Sequence, residues 1–92
     1  MKTYFHEAVL PDGATFTRRN KKKPFTHFIA VKYLDPWFPS DPRVGKWEAF
    51  KWTSWFEYQM DSVLDWKQHC ENNGVRTEFE IVEPKVTIEE VK

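Results

Sequence analysis

The apolar positions of this 92-residue chain fall into short runs separated by turn residues, with one stretch at helical spacing. Residues 3–10, TYFHEAVL, are aromatic and β-branched without a breaker and predict a strand. Pro11-Asp12-Gly13 predicts a turn, because proline presets φ and glycine accepts a positive φ. Residues 14–19, ATFTRR, then form the second strand of a hairpin. The clearest strand is 25–34, FTHFIAVKYL. It places Phe25, His27, Ile29, Val31 and Tyr33 on one face and Phe28, Ala30 and Leu34 on the other, which marks a central strand covered on both sides.

Residues 35–45, DPWFPSDPRVG, hold three prolines and one glycine and exclude regular structure. Residues 46–54, KWEAFKWTS, alternate weakly and are read as a fourth strand in preference to a helical turn. A helix follows at 55–73. Ser54 and Glu57 make a capping box. Phe56, Met60, Val63, Leu64, Lys67 and Cys70 recur at three and four to give one apolar face, and Asn72-Asn73-Gly74 is a stop, with Gly74 left-handed. Residues 75–83, VRTEFEIVE, alternate as a strand until Pro84. Residues 84–92 are an edge strand or a loose tail.

The order β-β-β-(β)-α-β predicts an α+β fold: an antiparallel sheet of four to five strands with one long α-helix, 55–73, packed on one face. The length is that of one domain, 1–92. Eight Phe, five Trp and three Tyr supply a rich core for so short a chain. A single cysteine, Cys70, rules out an intramolecular disulfide and fits a reducing compartment. No signal peptide and no membrane-spanning run is recognisable, so the expected location is cytoplasmic, without a membrane partner.

Net charge is zero, but its distribution is not even. Residues 1–51 hold ten Lys/Arg against five Asp/Glu, and residues 52–92 hold four against nine. A zero total argues against a dedicated nucleic-acid binder, while the asymmetry leaves homo-oligomerisation open.

Catalytic and metal signatures are weak. His6, His27, His69 and Cys70 lack zinc spacing, so packing or hydrogen-bonding roles are expected for them. Glu83-Pro84-Lys85 has the E-x-K spacing of metal-dependent nucleases, but proline breaks the strand that should present it, and Glu48 and Lys51 are one residue too far apart. The three glycines are isolated, so there is no phosphate loop. The chain is read as non-catalytic and without a cofactor, ahead of a small metal-dependent hydrolase.

Three features point to binding. Arg18, Arg19, Lys21, Lys22 and Lys23 form a basic cluster between Phe16 and Phe25, the combination used by single-strand nucleic-acid binders. It is equally the composition of a solvated hairpin loop that discourages edge pairing, and that reading comes first. Glu57, Asp61 and Asp65 form an acidic row at i, i+4 and i+8, read first as a solvated face; its mutual repulsion would be offset by a basic partner or by the chain's own basic loop. Trp37, Phe38, Trp55, Tyr58 and Trp66 exceed what a small core uses, so they are candidate anchors for a protein partner. Folding of the 35–45 segment over the helix flank would instead bury them.

Thr17-Arg18 and the run Phe25-Thr26-His27-Phe28-Ile29-Ala30-Val31, followed by a Trp-bearing helix and a strand ending Glu80-Ile81-Val82, resemble small bacteriophage proteins, especially those of phages infecting actinobacteria. The likeness spans residues 17–83. The charged run at 20–23 and the insert at 35–45 depart from the shorter members. The resemblance implies a phage origin rather than a mechanism, since that family has no assigned activity. Phage accessory proteins of this size usually act in the infected cell by binding a host or viral macromolecule, so a host or viral protein is the expected partner, with nucleic acid as the alternative.

Overall fold

The computed structural model describes residues 2–54 and 56–90, with the side chains of 56–59 outside the description. Its elements are β1 (Lys2–Val9), β2 (Thr15–Asn20), β3 (His27–Tyr33), β4 (Trp47–Thr53), α1 (Phe56–Asn72), β5 (Thr77–Val82) and β6 (Lys85–Glu90). The strands make two antiparallel three-stranded sheets, ordered β2-β1-β6 and β4-β3-β5. This corrects the expected single sheet of four to five strands carrying one long helix. The helix has 17 residues and packs on the second sheet, mainly beside β5.

The reason lies in β3. Phe28, Ile29, Ala30, Val31 and Tyr33 are all buried, on both faces of the strand. One sheet with one helix covers only one such face. Here the first sheet covers the other: Ala8 and Leu10 pack on Phe28 and Ala30, with Phe16, Trp52 and Val82 around them. On the helix side, Val31 and Tyr33 meet Cys70 and Val75, with Phe50, Trp66, Phe79 and Trp37 around them. The central strand is therefore the middle layer of three, between sheet and helix. The 20–26 connection is not a hairpin loop. It is a crossover from the first sheet to the second, and the final strand returns to pair with β1.

Local signals place the turns. Asp12 Oδ1 accepts the Ala14 N–H (3.0 Å), Leu10 N–H donates to Ala14 O (2.8 Å), and Gly13 has φ 93°. At the end of α1, Val75 N–H donates to Cys70 O (2.9 Å) and Gly74 N–H to Glu71 O (3.0 Å). These are the two bonds of a Schellman motif, with Gly74 at φ 76°. Leu64, expected on the apolar face of the helix, is 57 % exposed and borders an open groove beside β5 with Met60, Val63 and Ile81. Among the described residues, no helix is long and apolar enough to cross a membrane.

One side chain joins the two sheets. His6 of β1 is fully buried, and its Nε2 accepts the Phe25 N–H at 2.8 Å. A backbone N–H can only donate, so Nε2 is unprotonated and the neutral ring carries its proton on Nδ1. That proton is donated to Arg18 O at 3.1 Å. The ring lies 5.2 Å from Phe25 and 5.8 Å from Trp52 of β4. His6 thus ties β2 to the end of the crossover and packs on the second sheet.

Candidate partner-binding surface

The Pro-rich segment 35–45 is closely hydrogen-bonded. Asp41, buried, organises it. Its Oδ2 accepts the Trp37 N–H (3.2 Å) and Arg43 Nη2–H (3.1 Å), and its Oδ1 accepts the Arg43 N–H and Nε–H, each at 3.0 Å. The fork of the Arg43 guanidinium matches the carboxylate, and this pairing holds the Asp41 carboxyl down at about 2 from 3.8, against the opposing effect of its burial. Asp41 N–H returns to Phe38 O (3.1 Å), and Gly45 N–H donates to Tyr33 O (2.9 Å). Ser40 at φ 70° and Gly45 at φ 76° supply the reversals. At the base of the loop, Asp35 receives Arg76 through Nε–H (2.8 Å), Nη2–H (3.1 Å) and the backbone N–H (3.0 Å), which lowers its carboxyl to about 2.

The loop carries Phe38 at 52 % exposure. The Arg43 guanidinium lies over two rings, 5.9 Å from the Phe38 centroid and 5.3 Å from that of Tyr33. One carboxylate and one guanidinium therefore set both the loop backbone and the platform under Phe38. Neither Asp41 nor Arg43 stands out in the sequence as a candidate. A signal is present in Ser40-Asp41-Pro42-Arg43, because an aspartate before such a bend bonds the backbone two residues on.

Behind Phe38 runs an aromatic row. Trp37 is 6.0 Å from Trp66 and 6.1 Å from His69, Trp66 and His69 stack at 5.3 Å, and Tyr33 lies edge-on to Trp37 at 6.1 Å. The loop does fold over the helix flank, and Trp37 and Trp66 are half-buried in that contact. Both keep part of their surface in water beside Phe38. The Trp66 Nε1–H is buried and finds no acceptor in hydrogen-bonding geometry, although the Tyr33 hydroxyl is near enough to feel it. Burial raises the Tyr33 phenol above its ordinary value, so it stays protonated. Beside the row, Phe50, Ser62, Asp65, Trp66 and His69 line an open depression of about 460 Å³. Asp61 and Asp65 are exposed, as expected of an acidic row. Trp55 lies outside the described residues, as do the side chains of Glu57 and Tyr58.

The basic cluster is not assembled as a single grip. Arg18 and Arg19 belong to β2 and point to opposite faces of the first sheet. Arg18 covers the Phe25 ring at 5.2 Å, and Arg19 covers Phe5 at 4.7 Å while pairing with Glu89 at 3.4 Å. Phe16 packs on Phe28 (4.9 Å), and Phe25 is held against His6, so neither ring is presented for base stacking. Lys21, Lys22 and Lys23 are exposed in a turn built by Asn20, which accepts the Lys22 N–H (3.3 Å) and donates to Lys23 O (2.8 Å).

Among the described residues, no three His, Cys, Asp or Glu side chains gather as a metal site. His6 is committed to two backbone groups, His27 contacts Thr26 Oγ1 (2.9 Å), and His69 stacks on Trp66. Cys70 is buried, which pushes its thiol up and away from the reactive thiolate. Compared with protein-family models, curated proteins and solved structures, the chain matches none.

Proposed function

We propose that this chain is a non-catalytic binding protein that engages another protein through the Phe38 loop and the adjoining Trp37–Trp66–His69 row. The observation that carries this reading is an exposed phenylalanine on a loop already held in one conformation by Asp41 and Arg43. Loop ordering is among the costs of association, and a loop fixed beforehand avoids it. Aromatic anchors of this kind supply most of the affinity in small interfaces. The exposed Asp61 and Asp65 border the surface and would steer a basic partner towards it. The phage resemblance of residues 17–83 fits a partner from the host or the virus.

Trp37 contributes to the core on the helix side, so Phe38→Ala is the discriminating variant. Immobilised wild type and F38A are compared for bacterial proteins retained, with thermal unfolding recorded for both. The expected result is a specific retained protein lost in F38A at unchanged melting temperature and kept in a variant with Lys21, Lys22 and Lys23 replaced by Glu. Identical retention by wild type and F38A refutes the proposal.

A further inference from the structure

The first sheet ends in β6, which carries no further strand among the described residues. Free edges usually hold a deterrent to pairing, such as charge of one sign, a bulge or a cover. Two of the other three edges have one. β2 carries Arg18 and Arg19 and runs into three lysines. The register of β4 on β3 shifts at Ile29/Ala30. The third, β5, lies beside α1. β6, KVTIEE, has β-branched residues at its centre and charges of both signs at its ends.

Pairing with β1 assigns its faces. Val86 lies opposite His6 and Ile88 opposite Tyr4, on the side that faces the second sheet, while Lys85, Thr87 and Glu89 lie opposite Glu7, Phe5 and Thr3 on the outer side. Although His6 and Ala8 on the inner side are fully buried, Val86 is 38 % and Ile88 59 % exposed. This edge therefore extends past its cover and leaves two β-branched side chains in water.

We propose that β6 pairs antiparallel with β6 of a second copy about a twofold axis through Thr87, joining two three-stranded sheets into one of six strands. Directly opposed residues share a face, so residues of one parity must meet residues of the same parity. With Thr87 at the axis, Lys85 meets Glu89 of the second copy twice on the outer face. Val86 meets Ile88 twice on the inner face, and the two threonines meet each other. Each of these pair types is favourable across strands. Moving the axis to Ile88 sets Val86 against Glu90 and loses both ion pairs. The strand is thus complementary to itself in charge and in shape in one register. Glu89 already meets Arg19 at 3.4 Å, so the second copy's Lys85 extends a row of alternating charge along the outer face. The contact is independent of the Phe38 loop, which belongs to the other sheet.

Six residues a side make a small interface, so association is weak and reversible. Sedimentation velocity from about 10 µM to about 0.5 mM should show a monomer–dimer equilibrium. K85E alone sets carboxylate against carboxylate at both ion-pair positions, and E89K alone sets ammonium against ammonium there. Each should weaken the dimer roughly tenfold or more, and an equimolar mixture of the two should restore it as a heterodimer. K85E also faces Glu7, and E89K loses its pairing with Arg19, so melting curves accompany both. T87C provides the second readout, because mild oxidation should cross-link two copies at the axis, while the buried Cys70 leaves wild type uncross-linked. A chain that stays monomeric throughout, a mixture that fails to recover dimer, or T87C that stays uncross-linked overturns the proposal.

Discussion

Replacing His6 with phenylalanine tests whether the joint between the two sheets is chemical or only a matter of packing. His6 is fully buried and accepts the Phe25 N–H while donating to Arg18 O. Phenylalanine keeps a ring against Phe25 and Trp52 but strands one backbone donor and one acceptor. An unsatisfied buried group costs about 1–3 kcal/mol. Both bonds are partly buried, so a loss of about 2–4 kcal/mol is expected for the pair. That is a large share of the ~5–14 kcal/mol usual for a domain of this size. Glutamine can still offer an acceptor near Nε2, so H6Q should lose about half as much. Urea unfolding followed by tryptophan fluorescence reads this directly, since Trp52 lies 5.8 Å from the imidazole. A slope of about 1–1.5 kcal/mol/M converts the H6F loss to a midpoint roughly 1.3–4 M lower. In hydrogen exchange, the Phe25 amide should be protected in wild type and exchange freely in H6F. A midpoint within about 0.3 M of wild type, with the Phe25 amide still protected, would refute the reasoning and leave packing as the whole joint.

Two further outcomes follow from the loop and the helix end. Asp35 and Asp41 are each held at about 2 instead of 3.8, so their contribution to stability is complete above about pH 4 and disappears as pH falls through 2. Unfolding midpoints between pH 5 and 2 should fall steeply in wild type and less so in D35N/D41N, and equal slopes would show that neither pairing is linked to folding. Gly74→Ala should cost about 1 kcal/mol by denaturant titration, because a Cβ there meets nothing within 4 Å and only the left-handed φ of 76° is penalised. A neutral result would place the Schellman turn under tertiary rather than local control.

Most local structure was legible in the residues. The Pro11-Asp12-Gly13 turn, the helix ending before Gly74, and the first five strands within two residues of their bounds follow from turn chemistry and periodicity, which act between neighbours in the chain, whereas 84–92 stayed open between an edge strand and a tail. The double-sided burial of residues 28–31 was legible too, and it demands more than the fold expected from element order: a strand buried on both faces needs two covers, and a single sheet bearing one helix supplies one. Which strands pair depends on contacts between distant segments. KVTIEE returns to β1 across most of the chain, and 20–26 crosses between sheets, because the inner face of the first sheet must meet Phe28 and Ala30. The candidate site divides in the same way. The surplus of aromatics was visible in composition, but only tertiary packing sorted Phe38, exposed, from Trp37 and Trp66, half-buried. Composition also grouped Arg18 with Arg19, and the pleat of β2 separated them to opposite faces. Sequence by itself determined the elements, since propensity and turn geometry are local. The tertiary structure decided the sheet partition, the role of His6 and the exposed residue of the loop, since burial belongs to a position in three dimensions.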